Sequence, residues 1–237
     1  MRFAEALAKG MDADPPKWLG VRFDADARPL RASGVTVICH ITDPVQNEAL
    51  SAARDRICAA TRRQVFAWLP PSSYHMTVFD YLLHQRREMA YWPKGLATDA
   101  SEAEVDDWAA AQVRDLTLQE PPPFQIAPRG LYAADGGLGV DVGGMNRAED
   151  ARLRSVRDDL ARAAGLTHRP GHDEYRFHIT LAYLIAWPDA AEAAALDDAV
   201  DRAAEELAAV APTFSLCAPE LCYFHDMTAF ARQFRLR

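Results

Sequence analysis

Apolar residues recur along this chain with two different periods, and the switches between them lay out its elements. A helical pattern covers residues 2–9. Pro15, Pro16 and a mixed polar stretch to Ser33 then predict an ordered but irregular arm, so residues 1–33 precede a single two-lobed domain at 34–237. Trp18, Arg22 and Phe23 are expected to pack this arm on the surface rather than to cover a site. Gly34 opens the β-branched run Val35-Thr36-Val37-Ile38-Cys39-His40-Ile41, a strand. Asp43 as cap and Pro44 at the first helical position start a helix to about Arg63, with Leu50, Ala53, Ile57 and Ala60 inward. Val65 to Leu69 is the next strand, Pro70 and Pro71 turn the chain, and a further strand runs to about Leu83.

His84 to Gly95 predicts a loop or edge segment. Acids between Asp99 and Glu104 suit a helix N-terminus, and Val105, Trp108, Ala109, Val113 and Leu116 give that helix an inward stripe to about Leu118. Phe124 to Ala133 and Leu138 to Val142 predict a hairpin around Asp135-Gly136-Gly137. Asn146 caps a helix from Arg147 to about Ala164. A strand from Tyr175 to Ile185, an alanine-rich helix from Pro188 to about Val210, and two closing strands at Thr213 to Tyr223 and Ala229 to Leu236 complete the chain. Strand, helix and strand thus recur in both halves. They predict an α+β fold with two antiparallel-rich sheets lining a central cleft and helices on the outer faces.

The net charge of -8 disfavours an extended nucleic-acid surface, which needs a strongly basic face, but leaves room for a small anionic substrate where arginines gather. No apolar run is long enough for a membrane span, and the first ten residues lack a signal-peptide core, so a cytoplasmic protein is expected. Cys39, Cys58, Cys217 and Cys222 are spread too widely for a zinc site and predict reduced, mostly buried thiols. His168 and His172 flank Pro170 and Gly171, which break the helix that would align them on a metal. No metal and no cofactor are expected.

Two stretches carry the chemistry: Ser73-Tyr74-His75-Met76-Thr77-Val78-Phe79 and Arg176-Phe177-His178-Ile179-Thr180-Leu181-Ala182. Side chains two apart on a strand share a face, so each presents an imidazole and a hydroxyl to one side. Imidazoles titrate near neutrality, so His75 and His178 can supply a general base and a general acid. Thr77 and Thr180, with stiff side chains on rigid strands, can donate to phosphate oxygens. Arg176 shares the face of His178, where it can bind phosphate or form a surface ion pair, and both readings stay open. Ser73 is expected at the surface. His40-Ile41-Thr42, at the end of its strand, is expected to be structural, as are the glycines at 143 and 144. Tyr74, Tyr132, Tyr183 and Tyr223 are expected to be packing residues.

The paired His-x-Thr pattern in YHMTVFD and FHITLAY resembles the 2H phosphoesterase superfamily, which contains 2',3'-cyclic phosphodiesterases and the proteins called 2'-5' RNA ligases. Trp18 to Asp24, leading to Gly34 to His40, is similar to an uncharacterised bacterial subgroup of it, DUF1868-like. The resemblance implies a two-lobed 2H phosphoesterase-like fold, His75 and His178 as the acid and base pair, and Thr77 and Thr180 as phosphate binders. It implies a metal-independent phosphodiesterase acting on a cyclic phosphate or 2'-5' phosphodiester of a small nucleotide, an RNA end or a related sugar phosphate. RNA end ligation and non-catalytic binding of a nucleotide or phosphate are the alternatives.

Overall fold

A computed structural model describes residues 2–134 and 136–237; Asp135, the first residue of the expected hairpin turn, lies outside the described residues. The helices are α1 (Phe3–Ala8), α2 (Pro44–Cys58), α3 (Glu102–Val113), α4 (Arg147–Ala163) and α5 (Ala190–Val210). The strands are β1 (Gly34–His40), β2 (Phe66–Trp68), β3 (His75–Leu83), β4 (Phe124–Ala134), β5 (Gly137–Gly144), β6 (His178–Leu184), β7 (Phe214–Leu216), β8 (Glu220–Phe224) and β9 (Ala231–Arg235).

The helix starts follow local chemistry. Asp43, Asn146 and Asp189 each accept from the backbone N–H three residues on, and Ser101 with Glu104 forms a reciprocal capping box. Two of the ends come earlier than the periodic pattern suggested, while α4 and α5 end where it placed them. α2 stops at Cys58 rather than near Arg63 because Thr61-Arg62-Arg63-Gln64 offers nothing apolar to its inward stripe. The Thr61 hydroxyl bonds back to the Cys58 carbonyl, and the Arg62 N–H is taken by Glu192. α3 stops at Val113, short of Leu118.

The two lobes are present, and their strands join into one curled antiparallel sheet of nine strands in the order β7-β4-β5-β6-β3-β1-β8-β9, with β2 also paired to β6. The lobes meet where Met76 of β3 faces Ile179 of β6. Both residues are fully buried. The helices cover the outer faces: α2 against α5, α5 against β4 and α1, α4 against β5 and β3, and α3 against β1 and β3. β2 crosses over, since it belongs to the first half but pairs along Phe66↔Leu184 to Trp68↔Ala182 in the second lobe.

The expected single strand from Thr213 to Tyr223 is two strands on opposite sides of the sheet. β7 pairs with β4 and β8 with β1, and Pro219, which has no N–H for a ladder, stands between them. Six strand spacings separate β7 from β8 along the sheet, roughly 29 Å if it were flat. Cys217-Ala218-Pro219 bridges at most about 15 Å. The sheet therefore curls until its two flanks approach, which makes its concave face a cleft. Among the described residues, no helix is long and apolar enough to cross a membrane.

Candidate active site

The seam between the lobes brings the two motifs together. With Met76 opposite Ile179 in an antiparallel ladder, stepping one residue either way sets His75 opposite Thr180 and Thr77 opposite His178. All four side chains leave the sheet on the face opposite the buried Met76 and Ile179, and all four line one cleft of about 590 Å³. This is within the usual range for a small-molecule site.

Each motif strand carries a register shift just past its threonine. One lies near Thr77 on the β1–β3 ladder, between the Val37↔Phe79 and Ile38↔Thr77 pairs, and the other near Thr180 on the β5–β6 ladder. An extra residue flips the alternation. Phe79 accordingly goes into the core at 0% exposed while Asp80 reaches the cleft wall, the reverse of simple period-two counting.

The imidazoles are held alike. His75 Nδ1 lies 2.7 Å from the Ser73 carbonyl oxygen and His178 Nδ1 lies 2.9 Å from that of Arg176. A carbonyl only accepts, so each Nδ1 carries a hydrogen and each Nε2 is left to exchange a proton with the cleft. Ser73 is thus not a surface residue: it is 1% exposed, its hydroxyl bonds to Pro70, and its carbonyl sets the tautomer of His75.

Their surroundings differ. His75 packs against Phe230, ring centroids 4.2 Å apart, and faces His40 at 6.4 Å. Burial lowers its pKa to about 4, assisted by the charges of His40 and His178 and opposed by the Ser73 carbonyl. A histidine whose folded pKa lies below its unfolded one, near 6.5, contributes full stability above that value and loses it as pH falls to about 4. The contribution of His75 to the unfolding free energy is expected to drop by about 3 kcal/mol across this window. Urea melts at pH 7 and pH 4 on wild type and His75→Asn test this, and equal pH dependence in the two would refute it.

His178 sits between Tyr132 and Tyr175, at 5.8 and 6.2 Å. Burial raises both phenols above their usual range, opposed by the Thr180 hydroxyl at Tyr132 and by Arg157 and Thr77 at Tyr175. Both are therefore neutral O–H groups beside the motif threonines. Tyr132 needs a glycine for its place, since a Cβ on Gly139 would stand 2.4 Å from its hydroxyl oxygen. The packing role expected for Tyr132 and Tyr183 is incomplete, because both also line the cleft.

Arg176 lines the cleft and pairs with Asp141 at 2.6 Å. His40 lies opposite His75 in the ladder, and its Nδ1 meets Glu220 at 2.5 Å. Burial pushes the Glu220 carboxyl up, but His40, Arg232 and Arg235 hold it below the usual range. The arm does more than pack on the surface, contrary to expectation, because Lys17, Trp18 and Arg22 form part of the cleft wall. The alternation of β-strands could not reveal this, since the arm has none of its own.

Among the described residues, two groupings hold three potential metal-ligand atoms within 4.8 Å of one another, His40–Glu220–Cys222 and Asp158–His172–Asp173. Neither includes a motif histidine, and in the first Glu220 is already bound by two arginines. His168 is bonded to the Met89 carbonyl. Of the cysteines, all free, only Cys39 and Cys222 are buried; Cys58 and Cys217 are exposed, contrary to the expectation of mostly buried thiols.

The family described as 2H-phosphodiest, Domain of unknown function (DUF1868), matches residues 22–135, which include the first motif strand. The crystal structure of ATU0111, a conserved protein of unknown function from Agrobacterium tumefaciens strain C58, is 30% identical, and the match covers 94% of this chain and 93% of that one with a TM-score of 0.84. That of TT0787 from Thermus thermophilus is 14% identical over 87% of this chain and 97% of that one, with a TM-score of 0.47. No curated protein matches the chain.

Proposed function

We propose that this chain, which belongs to the 2H phosphodiesterase family of the DUF1868 type, is a metal-independent phosphodiesterase that opens a cyclic phosphate or a 2'-5' phosphodiester on a nucleotide, an RNA end or a related sugar phosphate. One observation carries the reading: two His–Thr pairs meet on one face of the seam, each imidazole with Nδ1–H fixed on a carbonyl and Nε2 free for the cleft. Four free cysteines suit a reducing compartment, and a cytoplasmic location belongs to the same reading.

His75, neutral at physiological pH, is the general base. Its Nε2 takes a proton from water as the water oxygen attacks phosphorus. The bond from phosphorus to one ribose oxygen breaks, and protonated His178 gives its Nε2 proton to that oxygen, leaving a phosphate monoester. The Thr77 and Thr180 hydroxyls, with Tyr132 beside Thr180, donate to the non-bridging oxygens as charge builds on them. Arg176 adds a cation at the rim.

The test is turnover of 2',3'-cyclic nucleotides and short 2'-5' linked oligonucleotides with chelator present, followed from about pH 3.5 to 9. Chelator-resistant hydrolysis is expected, with an acid limb of kcat/KM near pH 4 where protonation removes the base. Absence of turnover across the panel would refute the enzymatic reading.

A further inference from the structure

The wall of the cleft next to the second motif is built by the N-terminal arm, and its charges are arranged unlike those elsewhere in the site. Arg176 is matched by Asp141, and the buried Arg169 by Asp80 at 3.2 Å. Arg22 and Lys17, by contrast, have no carboxylate within 4.0 Å among the described residues. Both lean on one ring: the Arg22 guanidinium lies 4.0 Å and the Lys17 ammonium 4.9 Å from the centre of Trp18. Arg22 also donates to the Tyr183 hydroxyl at 2.5 Å.

This placement is fixed. Phe23 is 2% exposed and packs on Tyr183 with ring centroids 5.3 Å apart, the Leu30 N–H returns to the Arg22 carbonyl, and the Ala32 N–H reaches the His225 carbonyl. Trp18 fits so closely on the β4–β5 turn that a Cβ on Gly136 would stand 2.6 Å from its indole nitrogen. Two cations held on one ring repel each other, and with no carboxylate against them among the described residues a bound anion would offset that repulsion. Tyr183 follows Thr180 by three residues on β6, so the Arg22 guanidinium bonded to it stands roughly 10 Å along the strand from the motif phosphate site.

We infer that Lys17, Trp18 and Arg22 form a second phosphate subsite, so that the preferred substrate carries two phosphates: the one at the His-x-Thr seam and another about a nucleoside away. The inference rests on the reading of the seam as a phosphate site. Two sources have this chemistry, a 5'-phosphate on the same nucleoside and the internucleotide phosphate of an oligonucleotide end.

Equilibrium binding separates the inference from turnover. Calorimetric titration of adenosine 3'-monophosphate, adenosine 3',5'-bisphosphate and the dinucleotide ApA 3'-phosphate would be run on wild type, Arg22→Met and Lys17→Met, with a thermal melt of each variant. Wild type is expected to bind one of the two doubly phosphorylated ligands at least about tenfold more tightly than the monophosphate, and either substitution to collapse that ratio towards one. Preference for the bisphosphate identifies a 5'-phosphate, and preference for the dinucleotide an RNA end. Equal affinities in wild type, a ratio that survives both substitutions, or no binding of any of the three would overturn the inference. Lys17 is exposed, so its substitution tests charge without disturbing the arm. Cyclic-nucleotide turnover alongside equal affinities would overturn this subsite and leave the proposed reaction standing.

Discussion

Replacing His75 or His178 by alanine is expected to lower kcat for cyclic phosphodiester hydrolysis by about 100- to 10,000-fold in each case. Removing both should cost little more than removing the worse of the two, because a base without its acid partner no longer completes the transfer. The effect belongs in kcat: the threonine hydroxyls and the Tyr132 phenol remain to hold phosphate, so KM should move far less. The substitutions leave the strands intact, since both rings project into the cleft while Met76 and Ile179 hold the core side. Steady-state kinetics with matched melting curves make the comparison. A variant that keeps a tenth or more of the wild-type rate would remove that histidine from the chemistry.

The second large effect is on the seam itself. Ile179 is fully buried, and its ladder partner Met76 is equally so. Ile179→Ala is expected to cost about 2–5 kcal/mol, from lost burial and the cavity left between two lobes that have little freedom to collapse into it. For a chain of this size that lowers the melting temperature by roughly 5–15 °C. Because the motif residues stand one step either side of this pair, kcat should also fall at temperatures well below the melt. Calorimetry and low-temperature kinetics on the same preparation would show both. A loss below about 1 kcal/mol with unchanged kcat would mean that the seam does not depend on this contact.

The motif strands were legible because alternation does two jobs at once: it buries Met76, Val78, Ile179 and Leu181, and it places His75, Thr77, His178 and Thr180 together. The helix starts were legible for a similarly local reason, a capping side chain three residues from the N–H it accepts. What escaped was non-local. Nothing in the run from Thr213 to Tyr223 announces that its halves pair with strands on opposite flanks, although Pro219 was a signal that the run could not be one continuous ladder. Phe79 and Asp80 exchanged faces through a shift visible only once β1 is paired with β3.

His40 illustrates the same limit. Its strand end and the turn at Asp43 gave a structural reading, yet the ladder places it directly opposite His75, where its charge lowers the basicity of that ring. The arm is hidden in the sequence for a different reason. Trp18, Arg22 and Phe23 are organised by tertiary contacts with Tyr183 and the β4–β5 turn, and no periodicity in the arm itself encodes them.

The division of the last strands between the two flanks bears on how the protein comes off the ribosome. β1 and β4 remain open edges until residues 214–237 have been made, because β8 covers the first and β7 the second. Neither lobe can finish its sheet ahead of the other, and β2 already commits part of the first half to β6. The nascent chain must therefore carry unpaired strand edges through most of its synthesis, the condition under which chains misassociate. The order of elements shared by the two halves does not mark two modules that fold in turn. Its final stitch, between Leu216 and Glu220, closes both lobes at once.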